Sequence, residues 1–116
     1  MPKSHLEFIR HILLECSYCI KVTAALNYDT FINDETLCRA TIRSLEIIGE
    51  ASKRISPDFK MKYKLVPWKD MAGMRDRLIH DYLGVDYETV WTTLQKDIPI
   101  TKEWMEVILK KETQPD

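Results

Sequence analysis

The sequence has little glycine, few cysteines and no long apolar run. Three glycines in 116 residues leave little room for a glycine-rich phosphate loop, and neither Walker nor Rossmann spacing occurs. Three cysteines, an odd number, argue against a disulfide framework. No apolar stretch approaches the ~20 residues of a membrane-spanning helix. The opening "MPKSHLEFIR" has no signal-peptide core, so the expected compartment is the cytoplasm. Net charge is only −1, which gives no support for nucleic-acid binding by overall charge but leaves room for a local basic patch.

What is present is an ordinary soluble balance: 45% hydrophobic and 30% charged residues. The length suits one domain, here residues 1–116, able to bury roughly two-thirds of its unfolded surface. There is no internal repeat, low-complexity stretch or linker. Apolar residues recur at helical spacing almost throughout. A first helix is expected from Ser4, whose S-x-x-E spacing to Glu7 is that of a capping box, to about Leu26–Tyr28. A second starts at Asn33 or Asp34. Its Leu37, Cys38, Ile42, Leu45, Ile48, Gly49, Ser52 and Ile55 fall within an arc of about 140°. Ile47 lies off that arc, as a contact outside the monomer core would. Ser56 and Pro57 end it, and "SPDFKMKYKLVP" reads as a loop.

A third helix opens at Pro67–Trp68 and is expected to run to about Leu83, with Gly84 as its cap. Asp86 caps a fourth, with Tyr87, Val90, Trp91 and Leu94 inward, and Pro99 should break or kink the pattern. A last helix carries Trp104, Val107, Ile108 and Leu109, and the tail (residues 111–116) is expected to be disordered. The fold class is therefore all-α, an antiparallel bundle of four to five helices. Gly49 and Gly73 each cost a helix about 1 kcal/mol relative to alanine, which points to close helix approach at both.

One residue does not fit an ordinary bundle. On the third helix, Arg75 shares the apolar stripe of Trp68, Met71, Ala72, Leu78, Ile79 and Tyr82. An arginine there must pair, snorkel, or face a cleft or another subunit. Pairing partners on other helices include Glu7, Glu15 and Glu46. His80 lies about 140° from Arg75 on a straight helix. The two could meet if the helix loosened near Gly84, or if two copies of it formed a shared cleft. Arg offers a fork of donors for phosphate oxygens, and His moves a proton near neutral pH. Together they suit RNA cleavage without a metal, with His80 as proton carrier and Arg75 stabilising the charge that develops on phosphorus-bound oxygens.

The stretch "RDRLIHDY", Arg75 to Tyr82, resembles the R-x4-H-x-Y motif of HEPN-domain ribonucleases of the HepT-like family. "SLEIIGEASKRI" before it, "PWKDMAGMRDRLIHDYLGVDYETVW" around it and "DIP" after it extend the resemblance over nearly the whole chain. The resemblance implies a helical bundle that dimerises through the motif helix. It also implies metal-independent endoribonuclease activity with no cofactor, catalysed by Arg75 and His80 with Asp76 in support. It implies the toxin of a toxin–antitoxin pair, whose partner is a minimal, MntA-like nucleotidyltransferase that silences it by transferring AMP to Tyr82. Some HEPN proteins bind a nucleotide or the partner without cleaving RNA, which is the alternative function.

Other candidates are weaker. "CSYC", with Cys16 and Cys19 on an apolar face and no second pair, reads as small buried hydrophobes, as does Cys38, and not as a zinc site. His5 and His11 read as surface residues, and the three tryptophans as core. Lys60, Lys62 and Lys64, preceded by Lys53 and Arg54 and interleaved with Phe59 and Tyr63, are candidate RNA-binding residues.

Overall fold

The computed structural model describes residues 4–80 and 84–114; the side chain of His80 is not among the described atoms. Helix α1 (His5–Thr23) is N-capped by Ser4, whose Oγ accepts from the Glu7 N–H. It ends at Thr23, short of the expected limit, and a separate turn α2 (Tyr28–Ile32) follows under an Asn27 cap. Helix α3 (Glu35–Arg54) starts at Asp34, whose carboxylate accepts from the Leu37 N–H. Of the two caps the sequence offered, Asp34 serves α3. Ser56 not only follows α3 but caps a new short helix, α4 (Pro57–Lys62), in what the sequence suggested was a loop.

Helix α1 runs antiparallel to the other two long helices. Ser56, just past the end of α3, lies 3.3 Å from His5 Nε2 at the start of α1. Phe59 of α4 stacks on the same His5 ring at 4.9 Å. Glu112, near the end of the last helix, α8 (Ile98–Thr113), accepts from the Tyr63 hydroxyl and pairs with Lys62 at 2.7 Å. The start of α1 and the ends of α3 and α8 therefore meet around α4. The expected frayed tail is thus helical through Thr113, because Glu112 is held. Burial and the neighbouring carboxylate push the Tyr63 hydroxyl up to about 12, while Lys62 and Tyr63 pull the Glu112 carboxyl below the usual range.

The core fills the space between α1, α3 and α8: Ile9, Ile12, Ile48, Ile98, Met105 and Ile108 have no solvent exposure. Each such side chain contributes about 1.5–3 kcal/mol over its exposed state. Phe31 on α2 is also fully buried and meets Trp91 at 5.1 Å, which seats α2 against α7 (Tyr87–Thr92). Trp68 is buried as expected; Trp91 and Trp104 pack against the core while remaining partly exposed. Asp86 caps α7 through the Thr89 N–H. A π-helical turn (Thr93–Asp97) joins α7 to α8, so Pro99 sits in the first turn of α8 and does not break the chain there.

The third helix of the sequence reading is the main departure. It divides into α5 (Trp68–Ala72) and α6 (Met74–Leu78), and ends five residues early. Gly73 closes α5, its N–H bonding to the Lys69 carbonyl at 3.0 Å, and does not mark a close helix approach. After Leu78 the backbone becomes extended: β1 (Ile79–His80) pairs antiparallel with β2 (Gly84–Val85), Ile79 opposite Val85 and His80 opposite Gly84. Gly84 is therefore no helix cap. Its φ of +93° places it in a region that favours glycine, at the first residue of β2. Gly49 does what the sequence suggested. A Cβ there would lie 3.3 Å from the Met71 carbonyl oxygen and 3.5 Å from that of Ala72, so α5 lies backbone-close on α3.

Candidate functional site

Because α5 is pressed onto α3 at Gly49, α6 begins close to the middle of α3. Met74 and Leu78 are buried and anchor α6. Met74 was missed in the sequence because a single straight helix places it off the apolar stripe. With the chain broken at Gly73, Arg75 turns away from the core. Its side chain is 49% exposed, so the expectation of an arginine within a buried stripe is corrected. Of the three acidic partners the sequence offered, Glu46 is the one it meets: Arg75 Nε lies 3.7 Å from Glu46 Oε2. Asp76 Oδ1 lies 3.5 Å from Arg75 Nη1 and is itself well exposed. Glu46 therefore faces the Nε side of the guanidinium, and the exposed Asp76 carboxylate faces Nη1.

The neighbouring arginine holds the other flank. Arg77 Nη2 lies 3.6 Å from Asp97 Oδ2, at the end of the π-helical turn. A cleft of about 150 Å³, with Met71 and Met74 in its wall, lies beside Arg77, Asp97 and Ile100. Arg77 is thus tied across to Asp97, and α6 is bracketed by an ion pair on each side.

His80 is on β1, five residues after Arg75 and beyond the end of α6. On one straight helix that spacing would hold the two about 140° apart. The switch from helix to strand after Leu78 removes that fixed angle, which is the loosening considered in the sequence. Tyr82 lies outside the described residues.

The remaining candidates lie elsewhere. Cys16, Cys19 and Cys38 are buried free thiols. Burial, foremost, raises Cys16 to about 12 and Cys19 to about 11, so both stay protonated at neutral pH, as small hydrophobes do. Among the described residues no three His, Cys, Asp or Glu side chains cluster as a metal site. His11 is a surface residue beside Glu15, but His5 is partly buried in the α1–α4 contact. Lys60, Lys62 and Lys64 belong to α4 and the turn after it, where Lys62 is engaged by Glu112. Phe59 packs on His5 and, at 5.3 Å, on Tyr63, so neither ring is a free platform for a base.

Comparison with known proteins supplies the family. The model for "Ribonuclease HepT-like" matches residues 12–108. The chain belongs to the HepT-like ribonuclease family. It is 46% identical over 111 residues to "Putative RNase TTE0752" of Caldanaerobacter subterraneus, covering 96% of each chain. It is 46% identical to "Putative RNase MJ0125" of Methanocaldococcus jannaschii, covering 95% of this chain and 96% of that one. It is 41% identical over 110 residues to "Probable ribonuclease HepT" of Thermococcus cleftensis, covering 95% of this chain and all of that one. No solved structure matches it significantly. Among the described residues of this HepT-like chain, no helix is long and apolar enough to cross a membrane.

The half-exposed Arg75–Glu46 pair has a direct consequence for stability. Exposed ion pairs contribute about 0–1 kcal/mol, whereas breaking a buried one costs about 3–5 kcal/mol. Arg75→Ala is expected to lower unfolding free energy by about 1 kcal/mol or less. Urea denaturation checks this, and a loss several times larger would place Arg75 in the core.

Proposed function

We propose that this HepT-like protein is a metal-independent endoribonuclease, the toxin of a toxin–antitoxin pair, acting in the cytoplasm as a homodimer. The observation that carries the reading is Arg75: a half-exposed guanidinium on a short, anchored helix, followed at the helix end by His80, in a chain whose relatives are named as ribonucleases. In the step we envisage, His80 takes the proton of a ribose 2′-hydroxyl. The O2′ attacks the adjacent phosphorus and the O5′ bond breaks. The leaving O5′ takes up a proton, giving a 2′,3′-cyclic phosphate and a 5′-hydroxyl end. Arg75 donates to the non-bridging oxygens, where charge grows, and its charge does not titrate. Asp76 supports the guanidinium from its Nη1 side. Lys60, Lys62 and Lys64 are not needed for this step.

Dimerisation through the motif segment completes the reading, since two copies would bring two Arg–His sets to one cleft. Control belongs to the nucleotidyltransferase partner. The Tyr82 phenolic oxygen attacks the α-phosphorus of ATP and pyrophosphate leaves. The AMP group adds negative charge, which would compete with the RNA phosphate for Arg75, and bulk that would oppose RNA binding.

The deciding experiment is cleavage of a labelled RNA by the purified dimer in EDTA. Wild type is expected to cut, leaving cyclic phosphate ends, and Arg75→Ala to be slower by about 10²–10³-fold, the loss typical of one charge-stabilising donor. No cutting by wild type with or without magnesium would leave a non-catalytic dimer that binds a nucleotide or the partner. Cutting only with magnesium would contradict the metal-free step.

Regulation has its own test. Incubated with the nucleotidyltransferase and ATP, the wild type is expected to gain one AMP by mass spectrometry and lose activity. Tyr82→Phe should do neither, and AMP on that variant at the wild-type level would rule Tyr82 out as acceptor.

A further inference from the structure

The charge of the chain is unevenly placed. Residues 53–65 carry five basic side chains, Lys53, Arg54, Lys60, Lys62 and Lys64, against one acid, Asp58. That is a local charge of +4 in a chain whose total is −1, so the remainder carries −5. The same stretch holds the two most exposed large hydrophobic side chains among the described residues, Leu65 at 78% and Met61 at 70%. The backbone is coiled through this stretch: Tyr63 N–H bonds to the Lys60 carbonyl and Val66 N–H to that of Tyr63, both at 3.1 Å. Val66 is buried, and Tyr63 is bound to Glu112, so the coil is fastened to the bundle at its centre and its end. Met61, Lys64 and Leu65 are left outside.

We infer that this coil is a docking surface for an acidic protein segment bearing apolar side chains. The ribonuclease reading is independent of it. Apolar exposure on a fastened coil is a feature that burial by a partner would make favourable, at roughly 25 cal/mol per Å² removed from water. The surrounding lysines favour acidic partners and speed their approach. Single-stranded RNA fits less well, because the aromatic rings that would stack on bases are consumed: Phe59 lies between His5 and Tyr63. A second copy meeting this face by two-fold symmetry would set Arg54, Lys60 and Lys64 against their own copies, which charge repulsion opposes, while Lys53 and Lys62 are paired with Glu50 and Glu112.

The test uses the full chain and a fluorescein-labelled synthetic peptide with two leucines four residues apart among glutamates. Binding is read by anisotropy at low and high salt. Two double variants are compared, Met61→Ser with Leu65→Ser, and Lys60→Glu with Lys64→Glu; Lys62 is left in place because it holds Glu112. Circular dichroism melts verify that both variants fold. The peptide is expected to bind wild type, to bind more weakly at high salt, and to lose about tenfold or more in affinity to each variant. Equal binding by wild type and variants, or none, overturns the proposal. So does tighter, patch-dependent binding of an oligouridylate, which would make the surface an RNA site. Patch-dependent binding to phosphatidylserine vesicles, or a change of oligomer mass in the variants, would likewise replace it with a membrane or a second copy.

Discussion

The arrangement of the candidate site depends on one close approach, the backbone of α5 against Gly49 of α3. With no side chain at that position, the Met71 carbonyl oxygen comes to 3.3 Å of where a Cβ would stand, tighter than ordinary contact, and that of Ala72 to 3.5 Å. The helix cost of a glycine, about 1 kcal/mol, is offset by the packing it permits. That contact seats α5, Gly73 closes it, and α6 then starts beside the middle of α3. Arg75 meets Glu46 as a consequence. A bulkier residue at position 49 would push α5 away and move the arginine with it, without touching any candidate catalytic group.

Helix α6 is five residues long, far below what stands alone in water. Its order is borrowed from its surroundings. Met74 and Leu78 are buried on one side, and two ion pairs, Arg75 to Glu46 and Arg77 to Asp97, join it to α3 and to the π-helical turn. The carboxylate of Glu46 faces Nε of Arg75, so it orients the guanidinium from that edge. A short helix running straight into a strand pair also frees the following residues from the 100° increments of a helix. An Arg–His pair five residues apart can serve a common phosphate only under such a break or across two chains.

Much of this was legible in the sequence, and the parts that were not share a cause. The caps at Ser4, Asp34 and Asp86 and the buried arc of α3 follow from local side-chain chemistry and period, and the structure has them. The family was legible from "RDRLIHDY" and its flanks. The break at Gly73, the strand pair and α4 were not. Period 3.6 continues through Gly73 because Leu78 and Ile79 still match it, and nothing local signals that the backbone turns extended at Ile79. Arg75 looked buried only because the stripe was drawn on an unbroken helix. Tyr63, which fastens the end of α8, was read as a base-stacking candidate, since its partner Glu112 is forty-nine residues away and no local pattern points to it. Gly49 was read correctly because a glycine inside a strong helix has few other reasons to persist.

The central claim is that Arg75 and His80 act on the same phosphodiester. Single-turnover RNA cleavage rates for wild type, Arg75→Ala, His80→Ala and the double variant test it most directly. Groups acting as a unit on one transition state are strongly non-additive. The account predicts a double variant about as slow as the slower single one, within roughly threefold. A double variant slowed by the product of the two single losses would mean that the residues act independently, and would contradict it.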